Sequence, residues 1–300
     1  MNQGVADAPH RAGYVAIVGR PNVGKSTLLN ALVGTKISIT SRKAQTTRHR
    51  ILGVRTDAGV QFVFLDTPGF QNRHRNALNR AMNKSVGEVV GASDVAVLVI
   101  EAAGWRDADA AVLALLPAGV PIVLAINKVD AVRDTARLME LGARMGALDR
   151  FAAIVPVSAR SGKGMDGLLA EIARRLPEAP PMYDADMLTD RPERFLAAEI
   201  VREKVFRLAG DEIPYGCEVV IDRFEEEGSL RRILATILVD RQGHKAILLG
   251  TGGERMKRIA SEARLDMEKL FGGRVYLEVW VKVKSGWADN AAMLKTLGYR

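Results

Sequence analysis

Eight consecutive residues, Gly19-Arg20-Pro21-Asn22-Val23-Gly24-Lys25-Ser26, spell G-x-x-x-x-G-K-S, the pattern of a loop that cradles phosphates. The pattern constrains the fold because it works only between a buried strand and the start of a helix. The chain supplies both. Tyr14-Val15-Ala16-Ile17-Val18 is a short apolar run bounded by glycines, and Thr27-Leu28-Leu29-Asn30-Ala31-Leu32-Val33 reads as the beginning of a helix. Gly19 and Gly24 let the backbone curl so that successive N–H groups point at phosphate oxygens, backed by the positive end of the helix. Lys25 brings a cation to the outer phosphates, and the Ser26 hydroxyl is a Mg²⁺ ligand. A chance glycine turn would not carry Lys25, Ser26 and both flanking elements.

Three further motifs follow in order. The strand-like run 60–65 ends in Asp66-Thr67-Pro68-Gly69, a D-x-x-G sequence at the sheet edge where open α/β folds hold ligands. Asp66 is then placed to reach Mg²⁺ through water, and Gly69 offers an N–H to a terminal phosphate. The run 121–126 ends in Asn127-Lys128-Val129-Asp130. A carboxylate at Asp130 accepts from the guanine ring N–H and amine, a pattern adenine does not present. Ser158-Ala159, after the run 154–157, is expected over the carbonyl edge of the base. With helices read over 76–90, 107–116, 134–146 and 164–176, the alternation is βαββαβαβαβα. It predicts an α/β domain with a three-layer, mostly parallel sheet and one antiparallel insert, a P-loop NTPase G domain over 13–177.

Three hundred residues are enough for two domains. No apolar run approaches the length of a membrane span. Met1 to Gly13 is small and polar and is read as a flexible tail, with its boundary at residue 12. A single cysteine, Cys217, excludes an intrachain disulfide and fits a reducing cytoplasm as a small buried hydrophobe. The net charge is +8, and the stretch from Lys36 to Lys84 accounts for all of it. That stretch holds ten basic residues against Asp57 and Asp66 alone, so the basic surface belongs to the first domain. A solvated face is the plain reading; a surface for nucleic acid explains the one-sidedness.

Pro177-Glu178-Ala179-Pro180-Pro181 marks a hinge, so 178–191 is read as a linker and 192–300 as a second domain with a C-terminal tail. There the pattern changes to an amphipathic helix over 192–208 and strands over 217–224 and 230–239, joined by an acidic turn at Glu225-Glu226-Glu227-Gly228. A short helix over 245–249, the turn Gly250-Thr251-Gly252-Gly253, a helix over 254–271 and a strand over 274–283 complete it. The order α-β-β-α-α-β with G-x-x-G between two helices is the K-homology (type II KH) arrangement, which clamps single-stranded nucleic acid at the glycine loop. Lys245, Arg255, Lys257 and Arg258 surround that loop and, with its four residues, are the candidate RNA contacts. Met256 and Ile259 are assigned to the core. Trp280 and Trp287 are both candidates to stack bases, and of the two Trp280 is assigned to the core because it lies on the alternating strand.

Over nearly its whole length the chain resembles the Era family of bacterial GTPases with a C-terminal K-homology domain. The resemblance rests on 15–26, on 36–50 (Lys36 to Arg50) and on the stretch Val279-Trp280-Val281-Lys282-Val283-Lys284-Ser285-Gly286-Trp287-Ala288-Asp289. It implies GTP hydrolysis to GDP coupled to binding the 3′ end of 16S ribosomal RNA during assembly of the small (30S) ribosomal subunit. A monomer is expected, cytoplasmic and in peripheral contact with the inner membrane. It also implies that Thr47, not its neighbour Thr46, joins the Mg²⁺ shell with Ser26 and Asp66, and that Asn22 helps seat K⁺ beside the phosphates. Lys25, Thr47 and Asn22 would then carry the catalysis. Phe70 stands where many GTPases place a water-orienting glutamine, so backbone or cation must position the water. The loop 250–253 lacks a lysine that the family often carries inside it.

Two other readings stay open at this point, a GTPase acting on transfer RNA or another assembly, and a GTP-gated regulator at a membrane. His49 and His74 are read as solvated, and His244 as either a phosphate contact or a helix-start residue.

Overall fold

A computed structural model describes residues 10–41, 47–67, 89–209 and 213–297. By their contacts the residues fall into two compact units. The first gathers the described residues of 10–37, 50–67 and 89–190; the second gathers those of 38–49 and 191–297.

The first unit is built on a six-stranded sheet. Its strands are β1 (Arg11–Val18), β2 (Ile51–Asp57), β3 (Val60–Asp66), β4 (Val95–Glu101), β5 (Ile122–Asn127) and β6 (Ala153–Pro156). The spatial order is β2-β3-β1-β4-β5-β6, with only the β2–β3 pair antiparallel, as the alternation predicts. Strands such as Val95–Ile100 are apolar at every position and fully buried, which suits a parallel strand covered on both faces. Helices α1 (Lys25–Val33), α2 (Asp107–Leu113), α3 (Thr135–Gly146) and α4 (Met165–Ala173) connect them. From β1 the chain goes first to one side of the sheet and then, at β4, to the other. The crevice at the C-terminal end of β1 is therefore the switch point where such folds bind ligands. Most of the helix expected over 76–90 lies outside the described residues.

Two expectations at the edges of this unit change. Residues 11–13 are not tail but the start of β1, with Ala12 fully buried. The proline-rich stretch is not a free hinge. Its Pro177 carbonyl accepts from Ala12 N–H at 3.2 Å, its Ala179 N–H donates to the His10 carbonyl at 3.1 Å, and the residues just after it are strapped to the sheet by the wholly buried Gln61. Gln61 Nε2 donates to the Tyr183 carbonyl at 2.8 Å, and its Oε1 accepts from the N–H groups of Met182 and Tyr183 at 2.7 and 3.0 Å. Farther along, Val54 N–H donates to the Leu188 carbonyl at 2.9 Å.

The second unit has a three-stranded sheet in the order β7 (Cys217–Glu227), β8 (Leu230–Val239) and β9 (Arg274–Val283). Pairing is antiparallel between β7 and β8 and parallel between β8 and β9. Helices α5 (Glu193–Leu208), α6 (Gln242–Leu249), α7 (Glu254–Phe271) and α8 (Ala291–Thr296) complete it. One sheet face carries Ile233, Ala235, Ile237 and Val239 into a core with Val201, Phe206, Ile259 and Met267. Cys217 belongs to that core, and Met256 and Ile259 are buried as expected. The acidic residues expected in the hairpin turn belong to β7 instead: Glu225 stands opposite Arg232 and Glu226 opposite Arg231, and Arg232 pairs with Glu227 at 3.1 Å while Arg231 reaches Glu193 at 2.6 Å.

The helix expected to be amphipathic is buried nearly all round. Glu199, Arg202, Glu203 and Lys204 of α5 are all at most 3% exposed. Each finds a partner. Arg202 forks onto Glu199 at 2.8 and 2.5 Å, Lys204 donates to Asp266 at 2.6 Å, and Glu203 accepts from the Thr40 N–H at 2.9 Å. Arg48 is buried too; it donates to the Cys217 carbonyl at 2.7 Å and to Glu218 at 3.1 Å, and lies over the rings of Phe206 and Trp287. His49 is half-buried rather than solvated, edge-on to Phe195 with ring centroids 5.5 Å apart, and burial holds its pKa below the ordinary value. The tryptophans reverse their expected places. Trp287 is 1% exposed and donates to the Gly216 carbonyl at 3.1 Å, whereas Trp280 is 59% exposed.

Gln61 carries the strap, so Gln61→Ala should cost about 2 kcal/mol by removing its three hydrogen bonds to Met182 and Tyr183. Urea unfolding measures the loss, and amide exchange should accelerate selectively at Met182 and Tyr183.

Candidate nucleotide site and nucleic-acid interface

The loop after β1 has the expected conformation. Gly19 and Gly24 take φ of 155° and 101°, and Asn22, exposed on the loop, takes the left-handed φ of 67° that asparagine tolerates. A side chain at Gly24 would place its Cβ 2.4 Å from Asn127 Nδ2, so the position admits only glycine. Lys25 is buried and donates to the carbonyls of Gly19 and Arg20 at 3.0 and 3.1 Å. Burial outweighs the nearby Asp66 carboxylate and brings its pKa down to about 8. Ser26 Oγ donates to Asp66 Oδ2 at 2.8 Å, which brings two predicted metal ligands together. Thr67 Oγ1 donates to the Ile17 carbonyl at 3.0 Å and ties the end of β3 to β1. Val23 is a core residue beneath the loop, Pro21 lies half-buried on it, and Thr27 sits in the first turn of α1.

The Asn127–Asp130 motif converges on the same loop. Asn127 Nδ2 donates to the Val23 carbonyl at 2.8 Å, and its Oδ1 accepts from Ala159 N–H at 3.0 Å. Lys128 Nζ donates to the Asn22 carbonyl at 2.7 Å. Val129 N–H donates to the Val157 carbonyl at 3.2 Å, holding the turn that presents Asp130. Asp130 is exposed and accepts from Ser158 Oγ at 2.6 Å, the main reason its pKa lies below the ordinary carboxylate value.

Glu101, at the end of β4, escaped the sequence reasoning. It pairs with both Arg20 and Lys128, and so bridges the phosphate loop and the Asn127–Asp130 motif. Burial alone would raise its pKa, but the hydrogen bonds from Lys128 and Arg20 bring it below the ordinary value. Arg20 also meets Asp109 of α2 at 3.1 Å, where burial pushes the carboxyl up. The only signal in the sequence was an acidic residue ending a strand on the ligand edge of the sheet.

Pro68, Gly69 and Phe70 lie outside the described residues, as does His74. Thr47 is buried and belongs with the second unit, next to Arg48; it is not grouped with the phosphate loop.

In the second unit the loop 250–253 joins α6 to α7 as predicted. Gly250, Gly252 and Gly253 all have positive φ, and a Cβ on Gly250 would come within 2.9 Å of the Arg255 Cβ. Thr251 and Gly252 are exposed at the tip. The four surrounding cations differ. Arg255 donates to the Ile247 carbonyl and so braces the loop, and Arg258 pairs with Glu262 at 2.8 Å. Lys257 is exposed and Lys245 half-buried, with no ion pair for either among the described residues. Beside the loop, Ile247 and Leu249 of α6 are 45% and 37% exposed, an apolar floor suited to bases. His244 sits in the first turn of α6, next to Gly216.

Residues 14–128 match the family described as 50S ribosome-binding GTPase, and residues 212–288 match the KH domain family. GTPase Era of Bordetella avium is 56% identical over 289 residues, covering 96% of this chain and 98% of that one. GTPase Era of Chromobacterium violaceum is 52% identical over 294 residues, covering 98% and 99%. Among solved structures, a variant of Aquifex aeolicus Era bound to GDP·AlF4⁻ superposes with a TM-score of 0.93 at 39% identity, covering 96% of this chain and 99% of that one. Era in complex with MgGDPNP and nucleotides 1506–1542 of 16S ribosomal RNA gives the same TM-score and identity, covering 97% and 99%.

The buried ammonium of Lys25 opposes folding when no anion faces it. Below pH 8 it is charged in both folded and unfolded chains, so the cost is fully present. Between 8 and its ordinary value of 10.5 the folded chain sheds the proton first and the cost fades. Lys25→Met should therefore raise the Tm of the ligand-free protein at pH 7, by about 2–3 kcal/mol of stability, while abolishing binding of phosphate ligands. Thermal melts from pH 7 to 10 should show the gap between variant and parent closing.

Proposed function

The chain belongs to the Era family of GTPases, and from that premise we propose how its residues run the cycle. It is a GTP-hydrolysing switch that binds the 3′ end of 16S ribosomal RNA through its KH domain and acts in maturation of the 30S subunit. The observation that carries this reading is the convergence of Asn127, Lys128 and Ser26–Asp66 on one phosphate loop, in a chain that also carries a braced G-x-x-G loop. We divide it into a G domain from Arg11 to Asp190, whose last stretch is the strap held by Gln61, and a KH domain from Arg191 onward.

In this reading the N–H groups of 19–27 and Lys25 bind the β- and γ-phosphates, and Asp130, with Ser158 and Ala159 behind it, selects guanine. The hydroxyl of Ser26 and the carboxylate of Asp66 are hard oxygen donors 2.8 Å apart, a set that suits Mg²⁺. These two would hold the ion, with Thr47 added in the GTP state; when bound, it neutralises charge on the phosphates. Asn22 is assigned to K⁺, which would stand where other GTPases use an arginine. The segments 42–47 and 69–84, of which only Thr47 is among the described residues, are the expected nucleotide-responsive switches, with the GTP state binding RNA and hydrolysis releasing it. RNA enters along Ile247 and Leu249, with its backbone against Gly250–Gly253, Lys245 and Lys257, while Arg255 and Arg258 shape that edge. No helix among the described residues is long and apolar enough to cross a membrane. We place the protein in the cytoplasm as a monomer, with peripheral contact at the inner membrane face.

The test is GTP turnover in KCl against NaCl, with and without an oligonucleotide copying the 3′ end of 16S ribosomal RNA. Both K⁺ and the RNA should stimulate, and Asn22→Ala should erase the difference between the two salts. Turnover indifferent to the RNA would leave the KH domain a docking module for another assembly. An unchanged salt ratio in the variant would remove Asn22 as a cation ligand.

A further inference from the structure

Strand β9 leaves one face of the KH sheet unusually dressed. Its alternate residues Arg274, Tyr276, Glu278, Trp280 and Lys282 share the face opposite the core, and Lys284 follows in step. Trp280 is 59% exposed and Tyr276 is 47% exposed, although β9 is otherwise well packed through Val275 and Val281. On the neighbouring strand, Arg232 stands opposite Tyr276 with its guanidinium carbon 5.4 Å from the ring centroid. Arg274, Lys282 and Lys284 are exposed and have no ion pair among the described residues.

Exposing a tryptophan to water is costly, and the usual reason for it is a partner. Lysines alone on an edge strand would be explained as protection against edge-to-edge pairing. Two open aromatic rings on the same face work against that purpose. Glu278 lies between the rings and accepts from the Tyr276 hydroxyl at 3.4 Å, but rings flanked on both sides by unpaired cations are the elements of a single-strand platform, where bases stack on rings and phosphates meet the lysines and arginines. Tyr276 and Trp280 are four residues apart, about 13 Å along a strand. That exceeds the roughly 3.4 Å between stacked neighbouring bases, so each ring would take a separate base of an extended strand. Sheet aromatics serve this purpose in other RNA-binding folds.

We propose that the β9 face, through Trp280 and Tyr276 flanked by Arg274, Lys282 and Lys284, is a second single-stranded RNA surface, separate from the Gly250–Gly253 loop. It rests on the RNA-binding reading above and extends it. The platform takes RNA beyond the segment held at the glycine loop, and it reads stacking rather than base identity.

The test uses the full chain loaded with a non-hydrolysable GTP analogue and two labelled RNAs. One is a short RNA of about four to six nucleotides, enough for the glycine loop; the other is the segment 1506–1542. Trp280→Ala should weaken the longer RNA about ten-fold, the effect of losing one stacked base, and leave the short one unchanged. Trp280→Phe should restore most of the loss. The double variant Lys282→Glu, Lys284→Glu should flatten the salt dependence for the longer RNA only. Equal affinities of parent and Trp280→Ala for the longer RNA would overturn the proposal, as would equal losses on both RNAs. Loss of 30S binding with naked RNA unaffected would also overturn it, in favour of a protein partner. Failure of the parent to bind either RNA would instead sink the RNA-binding reading on which it rests.

Discussion

The side chain of Asn127 is the constraint on which the nucleotide site depends. One amide group spans three separate segments: its nitrogen holds the carbonyl of Val23 in the phosphate loop, and its oxygen holds the N–H of Ala159 after β6. Because Asn127 itself ends β5, strands that are distant in sequence are fixed at one depth. The approach is close enough to forbid any side chain at Gly24. Gly24, Asn127 and Lys128 thus each answer a neighbour in another motif. Glu101 adds a second tie by holding Arg20 and Lys128 together. A site assembled this way is preorganised. Lys25 is held by the carbonyls of Gly19 and Arg20, and the burial that lowers its pKa is offset when an anion arrives.

The second unit works by a different constraint. A helix with four buried charged residues gains little stability from them, because desolvation offsets most of the attraction. What such pairs do provide is register. Glu203 accepts from Thr40, Lys204 reaches Asp266 of α7, and Arg48 reaches the start of β7. Shifting any of these elements would strand a buried charge, an outcome far worse than loss of the pair itself. Thr40 and Arg48 are thereby held to the rest of the second unit by buried polar contacts.

Much of this was legible in the sequence where spacing and chemistry coincide. The strands of the parallel sheet are continuous apolar runs, and the phosphate loop, Asp66 and Asn127–Asp130 follow them at the ligand edge. Their order alone predicts the layers and the guanine site. The KH order was equally plain, because its two helices flank a glycine turn. What escaped was whatever depends on a partner far away in sequence. Gln61 is one polar residue in a strand, and nothing local announces that it will bind a strap more than a hundred residues on. Glu101 differs from a solvated strand end only through Arg20 and Lys128. The glutamates at 225–227 read as a turn because acidic runs favour solvent, yet Arg231 and Arg232 opposite them make a strand the better solution.

The tryptophans show the limit most clearly. Alternation along β9 correctly separates two faces, and it places Val275, Val279 and Val281 together on one of them. The tryptophan is out of phase with those valines, so the period itself assigns Trp280 to the opposite face. The preference of large aromatic residues for the interior argued the other way, and the period was right. Trp287 lies beyond the strand, where no period applies, and its burial depends on the Gly216 carbonyl and on the Arg48 guanidinium. When side-chain hydrophobicity and backbone period disagree within a strand, the period carries more information. It is set by the geometry of the chain, whereas hydrophobicity states only a cost that a binding partner can remove.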